Sequence, residues 1–248
     1  MRLIARLDVK NEHVIKGIHL EGLRKVGDPN RMAEDYYRQN IDEIVFMDAV
    51  ASLYDRNNLF HIIERACESV FVPITIGGGL RSLADIEQAL NAGADKIAIN
   101  TAAIRNPKFI TEAARTYGSQ CIVASIEAKR SAAGWEAYVD NGREKTGIDV
   151  LDWARQLEDL GCGEILITSV DQEGTKKGFD VELIAAANTT VGVPIIASGG
   201  LGGLAHIDAL VDKTEPSAIA TASLLHYGIH SVSEIRGQMA GQGLGTGR

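Results

Sequence analysis

The stretch Val72-Pro-Ile-Thr-Ile-Gly-Gly-Gly-Leu80 returns in the second half of the chain as Val193-Pro-Ile-Ile-Ala-Ser-Gly-Gly-Leu201, an offset of 193 − 72 = 121 residues. Each copy reads as a short apolar strand running into a glycine turn, and its surroundings repeat with it. Asp42-Glu-Ile-Val45 corresponds to Gly163-Glu-Ile-Leu166 at the same offset, and Arg6-Leu-Asp-Val-Lys10 corresponds to Ser125-Ile-Glu-Ala-Lys129 at 125 − 6 = 119. The chain is read as two copies of one half. Outward from these anchors the strand candidates are Leu3 to Val9, Glu43 to Asp48, Pro73 to Gly77, Lys96 to Asn100, Cys121 to Glu127, Glu164 to Ser169, Pro194 to Ser198 and Ala218 to Ala222. Helical patterns lie between them, including Pro29 to Asn40, Leu59 to Val70, Ser82 to Asn91, Pro107 to Tyr117, Asp149 to Leu160 and Val181 to Thr190. Alternating strands and helices predict a parallel sheet with crossover helices. Eight such units in 248 residues predict an α/β fold of one domain over residues 1–248, a closed (β/α)8 TIM barrel made of two half-barrels. The alternative, an open doubly wound sheet, would carry fewer strands at this length.

Composition narrows the function. Lys and Arg number 25 against 33 Asp and Glu, a net charge of −8, which argues against a nucleic-acid binder held by phosphate charge. A hydrophobic fraction of 45% with 23% charged residues is that of a globular protein. No stretch reaches the roughly 18 apolar residues of a membrane span, and charges interrupt Met1 to Lys10 before a signal-peptide core forms, so the expected location is cytoplasmic. Cys67, Cys121 and Cys162 stand apart, without the paired spacing of a zinc or redox site, and read as small buried hydrophobes. Neither a metal nor a cofactor is expected.

Barrel enzymes work at the C-terminal ends of their strands. Asp8 ends the first strand and Glu127 the fifth, which places them face to face across the mouth of a duplicated barrel. One terminal carboxylate reads most simply as a solvated loop cap. Two at equivalent positions read as a general acid and a general base, provided their surroundings separate their pKa values. The glycine turns Gly77-Gly78-Gly79 and Gly199-Gly200 leave backbone N–H groups open to an anion. The loops Asn100-Thr101 and Ala222-Ser223 lie beside them. Glycine turns alone are a weak signal, but a turn after strand seven paired with the loop after strand eight is the usual barrel phosphate site, and here it occurs twice. The expected ligand carries a phosphate at each end and reacts between Asp8 and Glu127.

Strand alternation defines a second charged set at the opposite end. If Asp8 points inward, so do Arg6, Ile4 and Arg2; Lys96 shares a face with Asn100, and Glu164 with Thr168. Arg2, Glu43, Lys96 and Glu164 would then ring the N-terminal mouth, two positive and two negative, either as a salt-bridged plug or as a gate.

Leu7-Asp-Val-Lys10, Val14-Ile-Lys-Gly17, Gly27-Asp-Pro29, Gly77-Gly-Gly79, Ala92-Gly-Ala-Asp-Lys96, Ile99-Asn-Thr101, Gly118-Ser-Gln-Cys121, Gly163-Glu-Ile-Leu-Ile-Thr-Ser169, Gly174-Thr175 and Ala197-Ser-Gly-Gly200 together resemble the cyclase (synthase) subunits of imidazole glycerol phosphate synthase, over essentially the whole chain. Trp135-Glu-Ala-Tyr-Val-Asp-Asn-Gly-Arg143 helps separate this family from the sister barrel that isomerises the preceding bisphosphate of histidine synthesis. The resemblance implies a lyase that takes ammonia from a glutaminase subunit docked on the N-terminal face. It adds the ammonia to a phosphoribulosyl formimino carboxamide ribonucleotide, giving imidazole glycerol phosphate and an aminoimidazole carboxamide ribonucleotide. It further implies Asp8 as principal acid/base with Glu127 opposite and Lys16 in a mobile first loop over the substrate. Substrate and phosphate contacts would come from Gly78, Gly79, Asn100, Thr101, Thr168, Glu173, Gly174, Ser198, Gly199, Gly200, Ala222 and Ser223. Arg2, Glu43, Lys96 and Glu164 become an ammonia gate, which favours gate over plug. Nucleic acid and membrane are not among the implied partners.

Some positions depart from that family pattern. Glu127 and Glu173 stand where it has aspartate, Arg6 where it has a small residue such as cysteine, and Ala98 where it has serine. A longer carboxylate displaces a proton-transfer group on the scale, about 1 Å, that costs roughly two orders of magnitude in rate. A variant branch resembles the chain more closely at Arg6, at Lys16-Gly-Ile-His-Leu-Glu-Gly-Leu-Arg24 and at Ser125-Ile-Glu-Ala128. It implies, as an alternative, ammonia delivery for amidination of a sugar in surface polysaccharide synthesis. A non-catalytic ammonia conduit is the remaining alternative.

Overall fold

The computed structural model describes residues 1–49 and 59–244. Eight parallel strands close on themselves in the order β1 (Arg2–Lys10), β4 (Glu43–Asp48), β5 (Ile74–Gly77), β6 (Lys96–Ile99), β7 (Ile122–Ser131), β10 (Glu164–Ser169), β11 (Ile195–Ser198) and β12 (Ala218–Thr221), which returns to β1. This is the (β/α)8 barrel that the spacing predicts, and every strand candidate lies within a residue or two of its strand except at the end of β7, which runs four residues past Glu127. Closure leaves no unpaired edge in the barrel, and helices cover the outer face, so the strands are apolar outward and, at the waist of the bore, inward.

Alternation divides the core in two. Outward residues such as Leu3, Leu7, Ile44, Phe46 and Ile165 pack against the helices in one continuous cluster. Inward residues Ile4, Val45, Ala98, Val123, Leu166, Ile196, Ala218 and Ala220 fill the waist of the bore, with Met47 against them. The helices that hold this wall start at conventional caps. Asp28 accepts from the Arg31 N–H ahead of Pro29, and Ser82 and Ser231 form reciprocal capping boxes with Asp85 and Glu234.

Two antiparallel hairpins rise from the C-terminal mouth. β2 (His13–Ile18) and β3 (Glu21–Gly27) follow β1, and β8 (Gly134–Val139) and β9 (Glu144–Asp149) follow β7. They sit at equivalent places in the two halves, and they explain why β1 and β7 outrun the other barrel strands. Strand alternation and helix periodicity do not locate them. The first turns at His19 and Leu20, both left-handed with φ of 53° and 63°, so it lacks the Asn-Gly or Gly-Gly pair that marks such a turn.

Candidate active site

The strand ends bring Asp8 and Glu127 to opposite walls of one cavity of about 220 Å³, which Gly78, Gly79, Asn100 and Thr101 also line. Glu173, Gly174, Ser198, Gly199, Gly200, Ala222 and Ser223 line a second and much smaller cavity of about 10 Å³. The duplication read from the sequence extends to backbone angles. Gly78 and Gly79 have φ of 90° and 74°, and Gly199 and Gly200 both have 98°. Asn100 (φ −118°, ψ −85°) matches Ala222 (φ −126°, ψ −72°). Glycine is required at the turns for close approach as well as conformation. A Cβ on Gly78 would strike the Asp48 carbonyl, and one on Gly200 the Gly178 carbonyl. Asn100 Oδ1 in the larger cavity and Thr221 Oγ1 in the smaller are buried acceptors with no partner among the described residues, which suits a cavity that takes a polar guest.

The two carboxylates differ in partners. Arg6 donates its Nε–H to Asp8 Oδ1 at 2.8 Å, and Lys16 Nζ lies 3.8 Å from Asp8 Oδ2. Burial pushes the Asp8 carboxyl up, but Arg6 and then Lys16 outweigh it and hold the group below the ordinary carboxylate value. Among the described residues Glu127 has no cation in contact. Burial raises it to about 7, against the pull of the Gly142 N–H, which donates to Oε2 at 2.8 Å, and of the more distant Arg6. One carboxyl is ionised at neutral pH and the other is divided between its two forms.

Lys16 lies in the hairpin that forms the first loop. It sits on β2, is only 4% exposed, and donates to Glu173 across the cavity mouth. The hairpin is docked there, with the His19 N–H donating to the Glu173 carbonyl at 2.8 Å. Burial lowers the Lys16 ammonium to about 8, partly offset by Asp8. Thr168 reaches neither cavity; its hydroxyl accepts from Arg6 Nη1 at 2.7 Å. His226, stacked on Tyr36, is driven down to about 4 by burial and is neutral near pH 7.

The turn that carries Gly142 escaped the sequence reading. Asp140, Asn141 and Gly142 are all left-handed, with φ of 52°, 61° and 73°. The Asp140 N–H donates to Thr101 Oγ1 at 3.2 Å, Asp140 pairs with Arg105 at 3.1 Å, and Asn100 Nδ2 donates to the Tyr138 carbonyl at 3.1 Å. The second hairpin thus ties Glu127 to the wall of the larger cavity. The signal was present in Asn141-Gly142 beside the alternating Trp135-Glu-Ala-Tyr-Val139.

At the other mouth the four charges close as alternation predicts. Arg2 donates to Glu43 and Glu164, and Lys96 Nζ lies 3.3 Å from Glu43 Oε2 and 3.0 Å from Glu164 Oε2. Among the described residues no cluster of His, Cys, Asp and Glu could hold a metal ion, and no helix is long and apolar enough to cross a membrane.

A family model described as a histidine biosynthesis protein matches residues 2–231. The chain is also 60% identical, over 205 residues, to the imidazole glycerol phosphate synthase subunit HisF of Legionella pneumophila, an alignment covering 82% of this chain and 97% of that relative. A duplicated barrel with opposed carboxylates, matched along nearly its whole length, belongs to the histidine biosynthesis protein family.

Proposed function

We propose that this chain is the cyclase subunit of an imidazole glycerol phosphate synthase. It uses ammonia from a glutaminase subunit to convert a phosphoribulosyl formimino carboxamide ribonucleotide into imidazole glycerol phosphate and an aminoimidazole carboxamide ribonucleotide. The observation that carries this reading is the pair Asp8 and Glu127, which share one cavity in opposite protonation tendencies. Condensation of ammonia with a carbonyl, followed by ring closure and cleavage, needs protons removed from nitrogen and delivered to departing oxygen and nitrogen. Asp8, ionised, accepts the proton. Glu127, carrying its proton at and below pH 7, donates one from the opposite wall.

The backbone N–H groups at Gly78–Gly79 and at Gly199–Gly200 hold the two phosphates, with Thr101 and Ser223 beside them. Lys16 and Glu173 close the first hairpin over the substrate, which excludes water from a reactive imine. The glutaminase docks at the N-terminal mouth. Ammonia enters past Arg2, Glu43, Lys96 and Glu164 and crosses the apolar waist as the neutral molecule, since an ammonium ion would lose its hydration there without a partner.

The test is turnover by the purified chain with ammonium salt and the formimino bisphosphate, followed by formation of the aminoimidazole product. Steady product formation without glutaminase is expected. A folded, phosphate-binding chain with no turnover would overturn the cyclase reading in favour of an ammonia conduit.

A further inference from the structure

Among the described residues one side chain lines both cavities, that of Arg6. It is 4% exposed, and its guanidinium crosses part of the bore from the first barrel strand to the sixth and seventh. Nε donates to Asp8 Oδ1 at 2.8 Å, and Nη1 donates to Thr168 Oγ1 at 2.7 Å and Ser198 Oγ at 3.4 Å. A cavity of about 10 Å³ has room for about one water, so with Arg6 in this seat the site at Gly200 and Ser223 is much the smaller of the two. The cavity on the other side has about 220 Å³.

We propose that Arg6 is a specificity-determining partition: seated on Asp8, Thr168 and Ser198 it keeps the second anion site shut, and a ligand is admitted to both sites only by displacing it. This rests on the two-anion reading above. A monophosphate in the larger cavity makes the same phosphate contacts whether Arg6 is seated or displaced, so it shifts nothing. A ligand with a phosphate at each end offers the guanidinium a new partner in exchange for its two hydroxyls. Displacement also withdraws a cation from Asp8, so that the proton acceptor becomes more basic only when the correct ligand spans the bore. The barrel thus selects for length as well as for charge.

Calorimetric titration with inorganic phosphate tests the partition without requiring turnover. The wild-type chain is expected to bind one phosphate. The charge-balanced variant Arg6→Ala with Asp8→Asn is expected to bind two, because the wall is gone and the net charge of the site is unchanged. Thr168→Val keeps Arg6 and Asp8 and removes the shorter hydroxyl seat. It is expected to tighten the second phosphate about tenfold, the scale of one hydrogen bond to a charged group, and it carries the test if the double variant does not fold. Two phosphates of similar affinity in the wild type, or a single phosphate in folded variants, would overturn the partition while leaving the cyclase reading intact. No phosphate in any of the three proteins would overturn both.

Discussion

Glu127 offers a measurement that needs no substrate. Burial raises its carboxyl from 4.5 to about 7, so the folded chain binds this proton more tightly than the unfolded chain does. The contribution to stability is therefore fully present below pH 4.5 and is lost as the pH rises through 7. At ~1.4 kcal/mol per pH unit, the span between the two values corresponds to about 3 kcal/mol. Glu127→Gln removes the titration while keeping an oxygen for the Gly142 N–H. Urea unfolding of both proteins from pH 4.5 to 8 should give a wild-type stability that falls by about 3 kcal/mol relative to the variant, with most of the change between pH 5 and 7. Titrating groups that do not interact with Glu127 are common to the two proteins and cancel in the difference. A difference constant across the window would refute the argument that Glu127 is a buried, largely desolvated acid. With that would go its assignment as proton donor, and the expected fall of ammonium-dependent kcat above pH 7.

Other substitutions separate the remaining roles. Asp8→Asn should lower ammonium-dependent turnover by ~10²-fold or more while the affinity of the phosphate at Gly78 and Thr101, read by calorimetry, changes little. Lys96→Ala should change glutamine-dependent output in the complex and spare ammonium-dependent output; since Lys96 bridges two carboxylates in a partly exposed ring, a stability loss of about 1–3 kcal/mol should appear in a parallel melt. Gly200→Ala, at φ 98° and against the Gly178 carbonyl, should cost about 2 kcal/mol or more, whereas Gly203→Ala, whose Cβ meets nothing within 4 Å, should be nearly neutral by the same melt.

The parts of this structure legible in the sequence are those fixed by local rules. A period of two along each strand determines which side chains enter the bore, so Arg2, Glu43, Lys96 and Glu164 could be brought together from four separate strands without knowing their neighbours. The glycine turns were legible because a tight strand-to-helix connection admits little else. The first hairpin was not, because what holds it is distant in sequence: the Lys16 ion pair with Glu173 and the His19 N–H on the Glu173 carbonyl. That docking also buries Lys16. The Gly142 N–H on Glu127 is of the same kind; its turn is visible in the sequence, but its target is not.

Duplication explains the two sites and also why they differ. The backbones of the halves agree at the glycine turns and at the residues that begin the following helices, so symmetry alone would give two equal pockets. Side chains break it. At the place where the first half carries Arg6 the second carries Ser125, also buried, and a serine leaves the space that a guanidinium fills. The same exchange sets the carboxylates apart. Asp8 has Arg6 two residues before it on the same face and stays ionised. Glu127 has only Ser125 there and takes up its proton near neutrality. The arginine present in one half and absent from the other, with Lys16 beside it, thus contributes both to the unequal cavities and to the division between proton acceptor and donor. Arg6→Ser, which makes the halves alike, should raise the Asp8 carboxyl toward that of Glu127 and blur the division.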